Sequence, residues 1–473
     1  MAKQLFNSSE SSNFILNMTE EKFSRLASWG LLAACFTTSL FTIVPELADS
    51  GLYSIVAGGL AVAGVICMIL ALIAFMKGYV EKRVLLPVCA FGVMVLWGVI
   101  SLINSYDTII SLYGYSGRGE GLLAILFYAA FFITGISIKR EKPLITFIYG
   151  IIGVGALNAV WGLVQVIAGV GSYKFASVEI QVNAASGLAQ SPLFLAMLLS
   201  LSLTAALMTA VLTSDSKRRI ICIVCACLFS FVMMFTYSLI GICGIAIALT
   251  AAAVTVFAHK ADKKLLLTLL SGIAPAALAA VIVSAGAIGN ISGYRLYDGR
   301  LLWWADSYYR LSASGEPDTG IVDIDSTYDV YYTLNSRTMR LISRAPLTGT
   351  GPEQLVFPQL YTASTLGGTE AEDITDIVMN NKGTFDKVYN EYLYTAATRG
   401  IPSTIALIAV LLPVLYLGYR NMKRRNSWTG AVLFGVTVCG VLLFFIGCSN
   451  ITFSPIFWAA AGASCVELDR KKQ

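Results

Sequence analysis

Ile401-Pro402-Ser403-Thr404-Ile405-Ala406-Leu407-Ile408-Ala409-Val410-Leu411-Leu412-Pro413-Val414-Leu415-Tyr416-Leu417-Gly418 carries no charged side chain. A run of about 20 mostly apolar residues is what a helix needs to cross the hydrocarbon core of a bilayer. Upstream of it, from Asn290 to Thr395, lies the one long polar stretch of the chain. That stretch holds 14 of the 28 acidic residues, eight of the 33 Lys and Arg residues and none of the ten cysteines. Outside it the pattern of 401–418 recurs at 28–45, 52–76, 84–104, 121–138, 144–168, 192–213, 220–237, 240–258, 265–289, 429–449 and 453–466. The whole chain is 56% hydrophobic and 13% charged, with mean hydropathy +0.73. Soluble domains carry about 25% charged residues, so the composition excludes a soluble protein. The expected architecture is all-α, a polytopic membrane bundle of about 12 transmembrane helices. A large, partly helical outer loop precedes span 10.

Charge placement sets the orientation. Lys77/Lys82/Arg83, Lys139/Arg140/Lys142, Lys217/Arg218/Arg219, Lys260/Lys263/Lys264 and Arg420/Lys423/Arg424/Arg425 fall in alternate connections, with Arg470-Lys471-Lys472 at the C-terminal end. The intervening connections hold almost none outside the large loop, Arg118 and Lys174 being the exceptions. Cytoplasmic loops are the ones enriched in Lys and Arg. Three regions follow: 1–289 with spans 1–9 and a cytoplasmic N-terminus, 290–400 as an extracytoplasmic loop, and 401–473 with spans 10–12 and a cytoplasmic C-terminus. The net charge of +5 reflects this topology signal and does not point to nucleic acid. No cleavable signal peptide is evident in the polar first 25 residues.

All ten cysteines fall in or at the ends of apolar stretches. Cys222-x-x-Cys225-x-Cys227 has a metal-like spacing but no nearby His or carboxylate, so it reads as small-residue filler. The lone His259 sits in a basic turn, His259-Lys260-Ala261-Asp262-Lys263-Lys264. Close-spaced small residues at Ala57/Gly58/Gly59/Gly64 and Gly150/Gly153/Gly155 permit tight helix–helix contact in lipid.

The polar loop is too aromatic for a disordered linker, and loops of this length are commonly functional. Three stretches of it read as helix. Arg300–Arg310 mixes Trp, Tyr and Arg in the manner of an interfacial helix. Leu334–Ala345 places Arg337, Arg340 and Arg344 within about 60° of one another, beside an apolar strip of Leu334, Leu341 and Ala345, and ends at Pro346. Three guanidinium groups on one face suit a solvated surface, a lipid-headgroup contact or a diphosphate cradle, since Arg forks pair phosphate oxygens. Asp386–Tyr394 leads through Arg399-Gly400-Ile401-Pro402, which predicts a break before span 10. Tyrosines there suit interfacial anchoring, which leaves Asn390 and Glu391 unexplained.

Six stretches, taken in order, resemble the O-antigen ligase and O-antigen polymerase superfamily, GT-C-type polytopic membrane glycosyltransferases. Gly114-Tyr115-Ser116-Gly117-Arg118-Gly119-Glu120-Gly121-Leu122-Leu123 is similar to the family's Arg-x-x-Gly-Leu-Leu element. Gly162-Leu163-Val164-Gln165 resembles its Gly-Leu-x-Gln span, and Val182-Asn183-Ala184-Ala185-Ser186-Gly187 the Asn-rich loop after it. Asp298-Gly299-Arg300-Leu301-Leu302-Trp303 resembles Gly-Arg-x-x-x-Trp, one residue shorter. Arg344-Ala345-Pro346-Leu347-Thr348-Gly349-Thr350-Gly351-Pro352 resembles a Pro-Leu-x-Gly-x-Gly-Pro turn. Phe385-Asp386-Lys387-Val388-Tyr389-Asn390-Glu391-Tyr392-Leu393 resembles Asp-Lys-x-His-Asn-x-x-Leu.

The resemblance implies transfer of glycan from a polyprenyl-diphosphate carrier to a glycan, lipid or protein hydroxyl acceptor, without metal or cofactor, at the outer face of the bacterial cytoplasmic membrane. It implies Arg300, Arg337, Arg340 and Arg118 as donor-diphosphate residues, and Tyr389, Asn390, Glu391 and Asp386 as catalytic candidates. The chain departs from the family twice. Tyr389 stands where the family has His, and Ser238-Leu239-Ile240-Gly241 lacks the arginine of a Ser-Arg-Gly element. With an ordinary pKa of about 10, a tyrosine is a poor base at neutral pH. Tyr389 then suits orientation of the acceptor, with Glu391, Asp386 or Asp306 open as proton acceptor, and Arg300, Arg337 or Arg340 open as the replacement cation. A lipid-linked glycan flippase or other polytopic transporter is the competing class. Such proteins place charge at mid-membrane, and the apolar stretches here hold almost none. A loop that only binds glycan or a partner enzyme is the third reading.

Overall fold

The computed structural model describes residues 18–41, 55–114, 118–169, 172–174, 181–189, 191–259, 265–284, 294–296, 308–310, 335, 338–355, 387–423 and 428–468. These are overwhelmingly helical. In chain order the helices are α1 (Glu20–Leu40), α2 (Ile55–Met76), α3 (Leu85–Ser101), α4 (Thr108–Tyr113), α5 (Leu122–Ile136), α6 (Glu141–Ala168) and α7 (Pro192–Leu212). Then follow α8 (Ser216–Met234), α9 (Leu239–His259), α10 (Leu265–Ser284), α11 (Glu391–Arg399), α12 (Ile401–Lys423), α13 (Trp428–Leu443) and α14 (Ser454–Ser464). Each apolar stretch of the sequence overlaps one of these helices. Seven, those built on α2, α3, α6, α7, α9, α10 and α12, are long and apolar enough to cross a membrane, and α5 and α13 are apolar but shorter. A multi-pass membrane protein is consistent with this set.

The core is organised by α7, which is buried at every position from Phe194 to Val211. Its sequence is apolar on all sides, the pattern of a helix with no solvent-facing or lipid-facing stripe. It packs against α6, α8, α9 and α13. Ser200 and Thr204 satisfy their hydroxyls on the carbonyls four residues back, at 2.6 and 2.8 Å. The outer helices show the opposite pattern, with Leu72, Leu86, Val224, Val281 and Leu412 exposed, as a lipid-facing surface requires.

Small residues set the closest approaches. A Cβ on Gly462 of α14 would lie 2.1 Å from the Phe132 carbonyl oxygen of α5, and one on Gly135 would lie 2.4 Å from that of Ala459. The two backbones therefore touch, the kind of contact that small residues permit between helices. Gly155 leaves room for the Ser202 side chain, whose hydroxyl donates to the Ile151 carbonyl at 3.0 Å.

Two of the family-like stretches clasp each other. Gln165 near the end of α6 accepts from the backbone N–H groups of Ser186 and Gly187 at 3.1 and 2.8 Å and donates to the Gly187 carbonyl at 3.2 Å. Two turns earlier, Asn158 accepts from Leu188 N at 3.0 Å and donates to the Ser39 hydroxyl at 3.0 Å. A half-buried amide and a buried one thus shape the loop that follows α6.

Charges collect at the two ends of α3, α5 and α14. At one end Arg83 pairs with Glu81 and Glu467, Lys139 pairs with Glu81, and Arg140 lies 3.7 Å from Glu20. Two of the basic connections, 77–83 and 139–142, meet there. At the other end lie residues 104–114, 118–121, 345–355 and 387–400 and the connection between α13 and α14.

The loop helices differ from their sequence reading. Tyr308–Arg310 is a β-strand paired antiparallel with Tyr294–Leu296. Residues 301–307 lie outside the described residues. The second stretch is helical over 338–344, with Leu341 and Ile342 buried. The third begins at Glu391, five residues later than its reading, because the Asn390 side chain accepts from Leu393 N at 3.1 Å and caps the helix there. Gly400, at φ +84°, separates α11 from α12 as its sequence predicts.

Replacing Gly462 by Ala places a methyl group against backbone that cannot yield. Overpacking of this kind costs about 1–3 kcal/mol, so Gly462→Ala is expected to lower the melting temperature of the detergent-solubilised protein, followed by tryptophan fluorescence. Gly430, whose Cβ would meet nothing within 4 Å, is the control expected to tolerate alanine.

Candidate functional site

Glycines deliver an acid to the mouth of the bundle. Asp107 caps α4 by accepting from Ile109 N and Ile110 N at 2.8 and 3.2 Å, and Gly114, at φ +88°, ends the helix. Gly119 turns the chain at φ +62°, and Glu120 then falls two residues ahead of α5, only 7% exposed.

The Gly-rich turn after Pro346 is a clamp on this end. Trp97 Nε1 donates to the Leu347 carbonyl at 2.6 Å, and Asn104 Nδ2 to Thr348 Oγ1 and the Gly349 carbonyl at 2.6 and 3.0 Å. Thr350 N and Gly351 N donate to the Ala397 and Thr398 carbonyls of α11, both at 2.9 Å. Gln354 accepts from Tyr106 N and Asp107 N at 2.7 and 3.1 Å. Gly349 and Gly351 therefore serve a turn pressed against α11, at φ +65° and +101°. Glu353 follows them at φ +60°, a left-handed conformation uncommon in a residue with a Cβ.

These segments bring five buried ionisable side chains together. The Lys387 ammonium pairs with Glu120, stands 3.6 Å from Glu353 Oε1 and donates to the Ser449 carbonyl at 3.0 Å. Glu120 Oε1 accepts from the Tyr128 and Ser449 hydroxyls at 3.1 and 3.0 Å. The Tyr394 hydroxyl donates to Glu353 Oε1 at 2.5 Å. Glu391 Oε1 accepts from Arg399 and Thr395, both at 3.3 Å, and Oε2 from Ser449 N at 2.8 Å. Glu120, Glu353, Lys387, Glu391 and Arg399 are each 7% exposed or less. Together they line a cavity of about 30 Å³ with Tyr128, Tyr394, Phe444 and Trp458, room for a water or a small polar group.

Three carboxylates face two buried cations. Burial pushes the Glu120 carboxyl up, and the neighbouring Glu353 and Glu391 add to the rise against the opposing pull of Lys387. Burial alone would lower the Lys387 ammonium, but Glu120 and Glu353 outweigh it and raise its value above the ordinary one. Arg118, half-buried, adds positive potential at Lys387.

Of the sequence-predicted residues, Glu391 lies in this cluster and Arg118 beside it. Asn390 is half-buried and its side-chain oxygen is engaged in capping α11. Tyr389 is half-buried one residue earlier, and Arg340 is exposed on the 338–344 helix with Arg344. Arg300, Arg337 and Asp386 lie outside the described residues. Sequence reasoning missed Glu120, Glu353, Lys387 and Arg399. A signal existed for Glu120 and Lys387, which sit inside the quoted motifs. Their pairing spans 267 residues and leaves no trace in spacing. No metal-like grouping of His, Cys, Asp or Glu occurs among the described residues. No protein-family model matches the chain, and no curated protein matches it.

Breaking a buried pair by removing one partner costs about 3–5 kcal/mol. Lys387→Met is therefore expected to lower the melting temperature sharply, and the double variant Lys387→Met/Glu120→Gln to regain much of the loss. The pH dependence has a definite sign. With its folded value raised, Glu120 binds a proton in the folded state where the unfolded chain does not, so its contribution is complete below the ordinary carboxylate value. That contribution falls as pH rises through the folded value. Lys387 behaves alike at alkaline pH: its contribution is complete below the ordinary lysine value and lost as pH rises through the folded one. Melting curves from mildly acid to neutral pH should decline for the wild type and flatten in Glu120→Gln.

Proposed function

We propose that this protein is a bacterial membrane glycosyltransferase that transfers or polymerises glycan from a polyprenyl-diphosphate-linked donor onto a hydroxyl acceptor. The reading includes about 12 spans, cytoplasmic termini and a reaction at the outer face of the cytoplasmic membrane. The observation that carries it is the convergence of Glu120, Pro352, Lys387 and Glu391, from three family-like stretches, with Ser449 around one buried polar cavity. A membrane anchor has no need for five ionisable groups in its interior, where each unpaired charge is costly.

The chemistry suits the residue types. The departing lipid diphosphate develops negative charge, which preorganised cations stabilise. Arg118 stands half-buried at the mouth, and Arg340 with Arg300 and Arg337 supplies further guanidinium groups from the loop. Glu391 is saturated by Arg399, Thr395 and Ser449 N, so its role is to hold the end of α11 against the α13–α14 connection. Tyr389, where related enzymes carry His, orients the acceptor. The cluster lies in connections at one end of the bundle, whereas translocation pathways place charge at mid-membrane. That position favours surface chemistry over a flippase.

The test is transfer by purified protein in proteoliposomes supplied with an undecaprenyl-diphosphate-linked oligosaccharide and a hydroxyl acceptor. Arg118→Ala is expected to lower kcat/KM by about 10²–10³-fold, the scale for losing one charge-stabilising donor, with the melting temperature unchanged. Absence of transfer by the wild type, together with donor accumulating on the inner leaflet of a deletion strain, would establish the flippase class instead.

A further inference from the structure

We propose that Glu353 is the base that takes the proton of the acceptor hydroxyl, an assignment that rests on the glycosyltransferase reading above. Three carboxylates line the cavity, and their hydrogen bonds separate them. Glu120 uses both oxygens, Oε1 toward Tyr128 and Ser449 and Oε2 toward Lys387. Glu391 uses both as well, toward Arg399 and Thr395 on one side and Ser449 N on the other. Glu353 is engaged through Oε1 alone, by Tyr394 at 2.5 Å and Lys387 at 3.6 Å. Among the described residues none engages Oε2.

Glu353 is only 4% exposed, yet one of its two oxygens receives no hydrogen bond from a described residue. The open oxygen belongs to a residue lining a cavity of about 30 Å³, large enough for a hydroxyl group and too small for a sugar ring. The backbone points the same way. Glu353 sits at φ +60°, where glycine is unstrained and any other residue pays a conformational penalty, and such strain collects at functional positions. Tyr394 and Lys387 fix Oε1, which leaves Oε2 to face the reacting group.

The step balances without an added reagent. The acceptor oxygen forms the new bond to the anomeric carbon of the donor sugar with its own electron pair. The bond from that carbon to the diphosphate oxygen breaks, its pair leaving with the lipid diphosphate, and the hydroxyl proton passes to Glu353.

Two variants of the purified full-length protein test this. Glu353→Gly removes the carboxylate and relaxes the backbone, so the fold is expected to keep or raise its melting temperature. Glu353→Gln keeps the shape without the basicity. Both should lose about 10²–10⁴-fold in transfer rate, the scale of general-base catalysis, with the donor KM within about threefold of wild type. Formate, small enough for the vacated space, should restore part of the Glu353→Gly rate. Transfer by the wild type with both variants within about threefold of it overturns the Glu353 assignment alone. Lost transfer with a lowered melting temperature and no rescue by formate assigns Glu353 a structural role and also overturns it. A wild type that transfers nothing overturns the glycosyltransferase reading itself.

Discussion

The buried pair between Lys387 and Glu120 is the interaction on which the rest of this end of the molecule depends. A lone ammonium or carboxylate at that depth would be prohibitively desolvated. Neither residue can remain where it is unless the other arrives, so residues 387–400 and the start of α5 are bound to a single geometry. Ser449 joins them by accepting from Lys387 through its carbonyl and donating to Glu120 through its hydroxyl. The connection between α13 and α14 is thereby drawn into the same network. Burial and the neighbouring carboxylates push the Glu120 carboxyl up, against the opposing pull of Lys387.

Close backbone packing makes that pair possible. α14 and α5 approach through Gly462 and Gly135 until carbonyls sit where side chains would otherwise lie. That contact sets Glu120, at the head of α5, beside Ser449, just before α14. On the opposite flank the turn at 346–352 is gripped by Trp97, Asn104 and the carbonyls of α11. In the Gly349-x-Gly351 turn the Gly349 N–H donates to the Ala345 carbonyl, and those of Thr350 and Gly351 donate to α11. Its contribution to the site is the placement of Glu353.

Legibility in the sequence followed the range of the interactions. Helix positions were readable because hydrophobic burial acts on local runs, and each apolar stretch overlaps a helix. The Gly400 break and the helix ending at Pro346 were readable from local backbone chemistry. The start of α11 was misplaced because Asp386–Asn390 has helix-compatible composition, while Asn390 turns its side chain back to cap Leu393. The strand at Tyr308–Arg310 was misread as helix because its partner lies outside the local window. Of the site, Glu391 and Arg118 were found through their motifs. Glu120, Glu353, Lys387 and Arg399 were passed over, since nothing in a linear pattern distinguishes a buried charge from a solvated one.

By itself, then, the sequence determined that this is a membrane-type helical chain with its polar chemistry gathered beside α12. Transfer of apolar side chains out of water depends on composition and local period, which any stretch of chain displays. Only the tertiary structure decided which charges are buried, which carboxylate keeps an open oxygen, and which Gly-rich turn is a clamp. Those outcomes depend on the dielectric and the hydrogen-bond donors that distant segments bring. The 267 residues between Glu120 and Lys387 measure how far that information lies from any motif.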